Sequence, residues 1–258
     1  METFLQYLES EVNHAIYVRG AQGENVLAKP DPEGWIREME TTRRSGYAKH
    51  KAEYDRNADR AIALYRQRKS AGINPIRAYD CSGLIVHYGL DIVNIITKDY
   101  TASGIYSKLC TIKLSGPATI RGQLIFKRSA ESGEITHVGV YVGNGQEIEC
   151  RGRDYGVIER AYNPDEWQLA GEWPDLMLYC SEPKPISAGM NGDVMRALQT
   201  AINVCGYTDA AGHPLDVDGK YGSKTAAALE QLVRYNIPDL KLIINRSGSV
   251  WAAAEVEY

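Results

Sequence analysis

The alternation of apolar and polar residues predicts helices in the first part of the chain and strands in the middle. Residues 3–17 have apolar side chains at helical spacing, so we expect one amphipathic helix that packs on the core. Residues 36–70 are strongly charged and favour helix. A solvated helical hairpin is preferred here over the alternative, a basic face that binds an anionic polymer.

The clearest strand covers residues 134–142, where the apolar side chains alternate with polar or small ones. Its valines share one face, and His137 lies on the other. Gly143-Asn144-Gly145 predicts a hairpin turn, and residues 146–150 return as the next strand. We expect a further short strand at residues 176–179.

The register of this hairpin decides which side chain lies beside His137. A two-residue turn would place Glu149 opposite Val140, on the other face of the sheet. A three-residue turn over residues 143–145 would place Glu149 opposite Gly139, within reach of the histidine. Loops of three residues closed by glycine commonly carry a bulge, so this second register is the one we expect.

Composition marks a linker at residues 183–188, which contain two prolines and two polar side chains. We expect one domain over residues 1–182, with 36–70 as a helical insertion, and a second over residues 189–258. With about 70 residues the second domain is small for a solitary catalytic unit, and a binding module is the preferred interpretation.

Charge and cysteine content exclude several classes of protein. The chain has 258 residues, a net charge of -4 and 44% apolar residues, so neither nucleic-acid binding nor disorder is indicated. Five widely spaced cysteines argue against a disulfide scaffold. Because no secretory signal and no membrane-spanning apolar run are present, we expect synthesis in a reducing cytoplasm.

Cys81 is the first candidate for chemistry because it falls at a predicted helix start, directly after Asp80. Asp80 is a good N-cap residue, so Cys81 would lie in the first turn. The helix dipole favours negative charge there, and we expect the thiol to ionise more easily than a free cysteine. For this residue taken alone, a buried structural cysteine is an equal alternative.

The sequence offers side chains suited to a nucleophile, a base and a group that orients the base, namely Cys81, His137 and Glu149. Cys81 would attack a carbonyl carbon, His137 would carry the proton to the leaving amine, and Glu149 would fix the imidazole tautomer. His87 is rejected as the base because it lies nearly two helical turns beyond Cys81. A zinc site that used Cys110 lacks a recognised ligand spacing, and we expect neither metal nor cofactor.

Several stretches, taken in order, resemble the NlpC-type cysteine peptidases, which are papain-like endopeptidases of bacterial peptidoglycan. The stretches that carry the resemblance are residues 79–84 (Tyr-Asp-Cys-Ser-Gly-Leu), 122–126, 137–145, 148–149 and 156–157. The resemblance implies an α+β fold in which N-terminal helices pack on an antiparallel sheet. It also implies Cys81 as nucleophile, His137 as base and Glu149 as the third polar residue, a position where the family often has histidine.

The same resemblance suggests residues for substrate binding. Tyr79 would shape the acyl site, and Asp80 and Ser82 would hold the free amine of the first alanine of the stem peptide. These contacts imply cleavage between D-γ-glutamate and the diamino acid that follows it, after the glycan has been removed from the peptide.

The second domain resembles the three-helix peptidoglycan-binding module and is therefore expected to be all-α. The residues that carry this likeness are 192–194, Leu198, Gln199, 217–222, Thr225 and Ala228. Two cell-wall modules on one chain imply bacterial peptidoglycan as the partner. The absence of a secretory signal suits a phage or prophage lysin released at lysis, or a component of a phage particle.

The sequence thus predicts a cysteine endopeptidase that hydrolyses peptidoglycan. An amidase that cuts between N-acetylmuramic acid and L-alanine remains an alternative, as does an acyltransferase, because related folds use the same triad. A wall-binding protein with an inactive catalytic fold is the third alternative.

Overall fold

The computed structural model describes residues 3–180, 192–236, 240–244 and 250–254. By its internal contacts the chain divides into two compact units, Met1–Cys180 and Ser181–Tyr258. Each unit has an apolar core of its own.

The first unit begins with helices and later contributes short helical segments between strands. Its α-helices are α1 (Phe4–Glu11), α2 (Pro32–Glu40), α3 (Lys51–Ser70), α4 (Gly83–His87), α5 (Ala102–Gly104) and α6 (Pro174–Met177). Short 3₁₀ turns cover Val26–Ala28, Pro164–Glu166 and Leu178–Cys180, and π-helical turns cover Tyr88–Ile92 and Ile105–Leu109.

Helix α1 is shorter than the sequence predicts. It begins at a capping box in which Thr3 and Gln6 each accept a backbone N–H, and it ends at Glu11. Asn13 then has a φ of 61°, and residues 16–17 leave the helix to form a strand. The helix expected over residues 3–17 is therefore wrong in its second half, because backbone pairing with a later strand wins over local helical spacing.

The strands of the first unit form two sheets. They are β1 (Ile16–Tyr17), β2 (Gln22–Asn25), β3 (Arg77–Tyr79), β4 (Ile112–Leu114), β5 (Leu124–Arg128), β6 (Ile135–Gly143), β7 (Gln146–Cys150), β8 (Val157–Ala161) and β9 (Leu169–Glu172). Six of them make an antiparallel sheet in the order β4-β9-β5-β6-β7-β8. The small sheet has the order β1-β3-β2, with β1 parallel to β3.

The main core lies between one face of the large sheet and helices α1 and α4. Val138, Val140 and Ile148 from the sheet belong to the same buried cluster as Phe4 and Leu84 from the helices. Each fully buried side chain of this size contributes about 1.5–3 kcal/mol to stability. The structure thus confirms N-terminal helices packed on an antiparallel sheet.

The β6–β7 hairpin has the expected register but reaches it by another route. Asn144 and Gly145 form a two-residue turn, with φ values of 53° and 70°, as expected of a type I′ turn. A register shift between Tyr141 and Gly143 then places Val140 opposite Ile148. The bulge moves the pairing by one residue, so that Glu149 lies opposite Gly139, as in the predicted three-residue connection.

The last strand of the first unit is not where the sequence predicts it. Residues 176–179 are helical, because Pro174 occupies the first position of α6 and favours a helix start. The strand β9 (Leu169–Glu172) lies instead in the interior of the sheet, between β4 and β5. Its residues have little intrinsic preference for strand, so neighbouring strands determine its conformation.

Helices α2 and α3 form the helical hairpin expected for residues 36–70, and most of its outward charges are paired. Ion pairs of this kind join Arg37 to Asp59, Arg43 to Glu38, Lys51 to Asp55 and Arg66 to Glu33. The hairpin also contacts the β7–β8 connection. Arg153 donates two hydrogen bonds to the buried Glu40, and Arg60 pairs with Asp154.

The second unit contains α7 (Asp193–Val204), α8 (Ser223–Asn236) and a hairpin of β10 (Leu240–Ile244) and β11 (Val250–Ala254). The expected all-α, three-helix domain is therefore not found in the described residues, where a strand pair follows the second helix. Residues 240–244 are rich in leucine and isoleucine, and β-branched side chains favour strand. The predicted linker, 183–188, lies outside the described residues.

Candidate active site

The turn that carries Cys81 is held by the carboxylate of Asp80. One carboxylate oxygen, Oδ1, accepts the backbone N–H of Gly83 at 2.7 Å and the hydroxyl of Ser82 at 3.0 Å. The other, Oδ2, accepts the N–H of Gly20 at 3.0 Å. Because α4 begins at Gly83, Cys81 lies in the turn just before the helix, with Asp80 as the capping side chain.

Gly83 is required at this position because the backbone of another segment packs directly against it. A Cβ atom on Gly83 would lie 2.0 Å from the carbonyl oxygen of Ala21. The Ala21 oxygen also accepts the N–H of Asp80 at 2.9 Å. Any larger residue at 83 would push apart the two segments that fix the Cys81 turn.

The sulfur of Cys81 lies beside the backbone of β6. The backbone N–H of Val138, the residue that follows His137, lies near enough to the sulfur to lower its pKa. Burial and the charge of Asp80 act in the other direction and raise the pKa of Cys81 to about 12. The expected easier ionisation is therefore wrong for the resting protein. Helix α4 has only five residues, and burial outweighs the N–H groups at its start.

Alkylation of Cys81 by iodoacetamide is expected to report this raised pKa. In the folded protein the rate should still rise above pH 10, because the thiol remains protonated there. In urea the rate should level off above about pH 8.5–9, close to the pKa of a free cysteine. Asp80→Asn should shift the folded profile to lower pH, since it removes a charge that opposes the thiolate.

The measurement is mass mapping of the Cys81 peptide after timed reaction at each pH. The exposed Cys205 provides the internal control for reagent activity. A folded profile that levels off below pH 8 would contradict the raised pKa.

His137 lies on β6 with its side chain 19% exposed, and one of its ring nitrogens is already engaged. Nε2 lies 2.5 Å from Oε2 of Glu149. The ring also stacks on Trp167, with centroids 5.7 Å apart and planes 20° apart. Nε2 is therefore the ring nitrogen that the carboxylate holds, and Nδ1 is the one on the opposite side of the ring.

Glu149 is buried beside this ring and is held in its charged form. Burial raises its pKa, but the hydrogen bond from His137 and the charges of His137, Lys127 and Arg160 outweigh burial and lower it. Gly139 leaves room for the pair, because a Cβ atom there would lie 2.9 Å from Trp167 and 3.3 Å from the Cβ of Glu149.

Three neighbours of the site are absent from the sequence-based prediction. Arg160 donates to Oε1 of Glu149 at 3.0 Å, and Trp167 supports the imidazole. Tyr17 lies close enough to Cys81 and Asp80 that, after burial, their charges raise its pKa. The alternation of β8 could have placed Arg160 on the face of Glu149. Tyr17 and Trp167 are brought in by long-range pairing that leaves no local pattern.

The three predicted substrate-binding residues differ in their exposure to solvent. Tyr79 is fully buried and packs against Tyr7 and His87, and its part in shaping the acyl site stays a prediction. Ser82 is 8% exposed and donates its hydroxyl to Asp80. Asp80 is partly exposed but already accepts three hydrogen bonds within the protein.

The rejected candidates lie elsewhere. Nδ1 of His87 lies 2.8 Å from Asp91, and the side chain packs on Tyr7 and Tyr79. Cys110 is buried, and the thiol of the buried Cys150 donates to the carbonyl of Tyr79 at 3.4 Å. Among the described residues no group of three or more His, Cys, Asp or Glu side chains is placed to hold a metal ion.

In the second unit, the residues singled out by sequence hold a loop onto α7. The amide nitrogen of the buried Gln199 donates to Asp218, to the carbonyl of Lys220 and to Thr225. Its amide oxygen accepts the N–H of Gly219 at 2.9 Å. These side chains thus determine the shape of the loop at residues 214–222.

A membrane-spanning helix would need a long and continuously apolar segment. Within the part of the chain that the structure describes, no helix satisfies both conditions.

Comparison with known proteins gives a match over the segment that contains the site. Residues 67–170 match the model of the NlpC/P60 family. Murein DD-endopeptidase MepH of Escherichia coli (strain K12) is 32% identical over 97 residues, which cover 38% of this chain and 35% of MepH. The chain thus spans about a third of the length of this curated relative.

Among solved structures, the NlpC/p60 domain of the peptidoglycan hydrolase SagA is similar over 37% of this chain and 77% of that chain. Its sequence identity is 23% and its TM-score is 0.31. The NlpC/P60 match at residues 67–170 includes Cys81, His137 and Glu149, together with Arg160 and Trp167.

Proposed function

We propose that the first unit is a cysteine peptidase that hydrolyses the peptide part of bacterial peptidoglycan. The observation that carries this proposal is the contact chain from Cys81 through the His137–Val138 segment to Glu149. It supplies a nucleophile, a base with one free ring nitrogen, and a buried carboxylate on the other nitrogen. The NlpC/P60 match over the same residues supports the proposal.

In the proposed reaction, Cys81 reacts from its neutral state, because burial keeps the thiol protonated. Nδ1 of His137 takes the thiol proton as the sulfur bonds to the peptide carbonyl carbon. The C–N bond then breaks, and the same proton passes to the leaving amine. Water then attacks the thioester carbonyl carbon while His137 takes one of its protons. The C–S bond breaks, the carboxylic acid product leaves, and the proton passes from His137 to the sulfur to restore the thiol.

Glu149 makes this sequence possible by stabilising the imidazolium that exists between the two proton transfers. Its carboxylate is already ionised and in contact with Nε2, so little rearrangement is needed when the ring becomes charged. Trp167 adds a stacked aromatic face, which also favours a cationic ring.

Two bonds of the wall are candidates for cleavage. The resemblance at Asp80 and Ser82 favours the bond between D-γ-glutamate and the diamino acid, with the free amine of the first alanine near Asp80. The name of MepH, a DD-endopeptidase, favours the cross-link between stem peptides as the bond that is cleaved. We propose the first bond, because Asp80 is partly exposed next to Cys81 and is the carboxylate nearest in sequence to it.

Digestion of defined muropeptides tests both the activity and the bond. The full chain should convert a free tetrapeptide stem into a dipeptide that ends in D-glutamate and a peptide that begins with the diamino acid. Conversion of cross-linked dimers into monomers would show DD-cleavage instead. Release of whole stem peptides from the sugar would show an amidase, and no release from any substrate would refute the proposal.

For the second unit we propose binding to the wall. The support is the likeness of its Gln199 and Gly219 region to peptidoglycan-binding modules, together with a hydrolase on the same chain. A phage or prophage lysin would combine the two activities in this way, so we propose that role as well.

A further inference from the structure

A network of charged side chains extends behind the His137–Glu149 pair, and Arg160 is at its centre. Nε of Arg160 donates to Oε1 of Glu149 at 3.0 Å. Its two terminal nitrogens donate to Glu166 at 3.0 and 2.6 Å, and Nη2 also lies 2.7 Å from Glu147. One guanidinium group therefore contacts three carboxylates.

The two oxygens of Glu149 have different partners. Oε2 contacts His137 at 2.5 Å, and Oε1 accepts from Arg160. The carboxylate therefore cannot rotate away from the imidazole without losing the contact with Arg160. Because the Glu149 side chain is 0% exposed, water cannot readily replace the lost partner.

We propose that Arg160 is a positioning residue that holds the Glu149 carboxylate in line with His137. This inference rests on the function proposed above, since it assigns Arg160 to the same reaction. Arg160 itself is anchored by Glu166 and lies directly opposite Glu147 in the β7–β8 pairing. It acts on the reaction through Glu149 and is assigned no contact with substrate.

Arginine suits this position better than lysine. The guanidinium group is planar and presents several N–H donors in a fixed arrangement, whereas a lysine ammonium is a single flexible point charge. Glu147 and Glu149 are both buried on one face of β7, and burial, followed by repulsion from Glu149, raises the pKa of Glu147 to about 7. A fixed cation between them offsets this repulsion.

Other charged groups around the pair are also part of its electrostatic environment. Arg151 lies 3.8 Å from Glu149. Lys127 lies opposite His137 in the β5–β6 pairing and contacts Glu166 at 3.1 Å. The uncharged Trp167 donates to Glu147 at 2.6 Å. Since none of them makes the 3.0 Å contact with Oε1 of Glu149, Arg160 is the residue to test.

The first test compares the kinetics of the wild type, Arg160→Gln and Arg160→Lys on the muropeptide that the wild type cleaves. For Arg160→Gln we expect kcat to fall by about 10²-fold, the size of effect that a small displacement of a catalytic group produces, with KM little changed. The acidic side of the pH–rate profile should move to lower pH, because a Glu149 carboxylate that the Arg160 cation no longer holds against the ring stabilises the imidazolium less.

Arg160→Lys separates charge from geometry. It keeps the positive charge, so the acidic side of the profile should stay close to that of the wild type. It loses the planar set of donors, so kcat should still fall, by less than in Arg160→Gln. Arg160→Lys also keeps the test informative if the glutamine variant does not fold.

Arg77→Gln is the matched control for a purely structural effect. Arg77 pairs with the largely buried Glu11 at 3.3 Å, on β3 and away from His137. Its replacement should lower the unfolding temperature, as breaking an ion pair to a buried glutamate generally does, without moving the acidic side of the profile.

A second readout does not depend on hydrolysis. The proton between Nε2 of His137 and Glu149 should give a strongly low-field NMR resonance, because that contact is short. We expect the resonance in the wild type and in Arg77→Gln, and its loss in Arg160→Gln. An unchanged resonance, kcat or pH profile in Arg160→Gln would overturn the inference. Loss of the resonance in a protein that cleaves no wall substrate would leave the positioning role intact and refute the hydrolase.

Discussion

Replacement of Cys81 by alanine is expected to reduce peptide release from purified cell walls by at least about 10³-fold. The variant keeps the fold, because the turn at residues 80–83 is held by Asp80 and by the Ala21 carbonyl, neither of which uses the sulfur. Only the thiol of Cys81, the proposed nucleophile, is lost.

The measurement is mass analysis of soluble products from walls incubated with each protein at equal concentration. Cys205→Ala, which removes an exposed thiol in the second unit, is the control and should retain wild-type release. Equal release by the wild type and Cys81→Ala would exclude Cys81 as the nucleophile. Retained sedimentation with walls by Cys81→Ala would show that binding and cleavage are separate.

Replacement of Glu149 should produce the second largest loss of hydrolytic activity. Glu149→Gln keeps the shape of the side chain but removes the charge that stabilises the imidazolium, and kcat should fall by about 10²-fold or more. Glu149→Ala should also lower the free energy of unfolding by about 3 kcal/mol, because it leaves Arg160 without a partner on its Nε side. Glu159→Gln, on an exposed position of the neighbouring strand, is the control.

The stability difference between the wild type and Glu149→Gln should depend on pH. The folded protein holds the pKa of Glu149 below its usual value, so the charge contributes stability above about pH 4.3, the pKa of an unfolded glutamate. As the pH falls through the folded pKa, this contribution disappears. Urea unfolding at pH 7 and at pH 3 measures the change, and a constant difference would contradict the lowered pKa.

The sequence was most informative where chemistry and backbone requirements coincide in a few adjacent residues. Asn144-Gly145 accepts the positive φ angles of a tight turn, and Gly139 provides space beside Glu149. The pairing of His137 with Glu149 could be predicted for these reasons. The position of the bulge, in β6 between Tyr141 and Gly143 rather than within a three-residue loop, could not be predicted, because it depends on how the twisted strands meet.

Other features depend on contacts between distant segments. The strand β9 has the weakly strand-forming sequence Leu-Ala-Gly-Glu, and only its neighbours β4 and β5 determine its conformation. The ionisation of Cys81 was predicted in the wrong direction for a similar reason. A helix start is visible in sequence, whereas the burial that outweighs it arises only when Cys81 packs against the main core.

The anchoring of the Cys81 turn to Gly20 and Ala21 has a consequence for how this protein can be divided. The family match begins at residue 67, yet the peptide groups that hold the Cys81 turn through Asp80 lie almost fifty positions earlier. The family match is therefore shorter than the part of the chain that holds the Cys81 turn, which extends back to Gly20. A gene fusion that joins an unrelated segment at residue 67 would keep Cys81, His137 and Glu149. It would lose the backbone groups of Gly20 and Ala21 that hold the Cys81 turn.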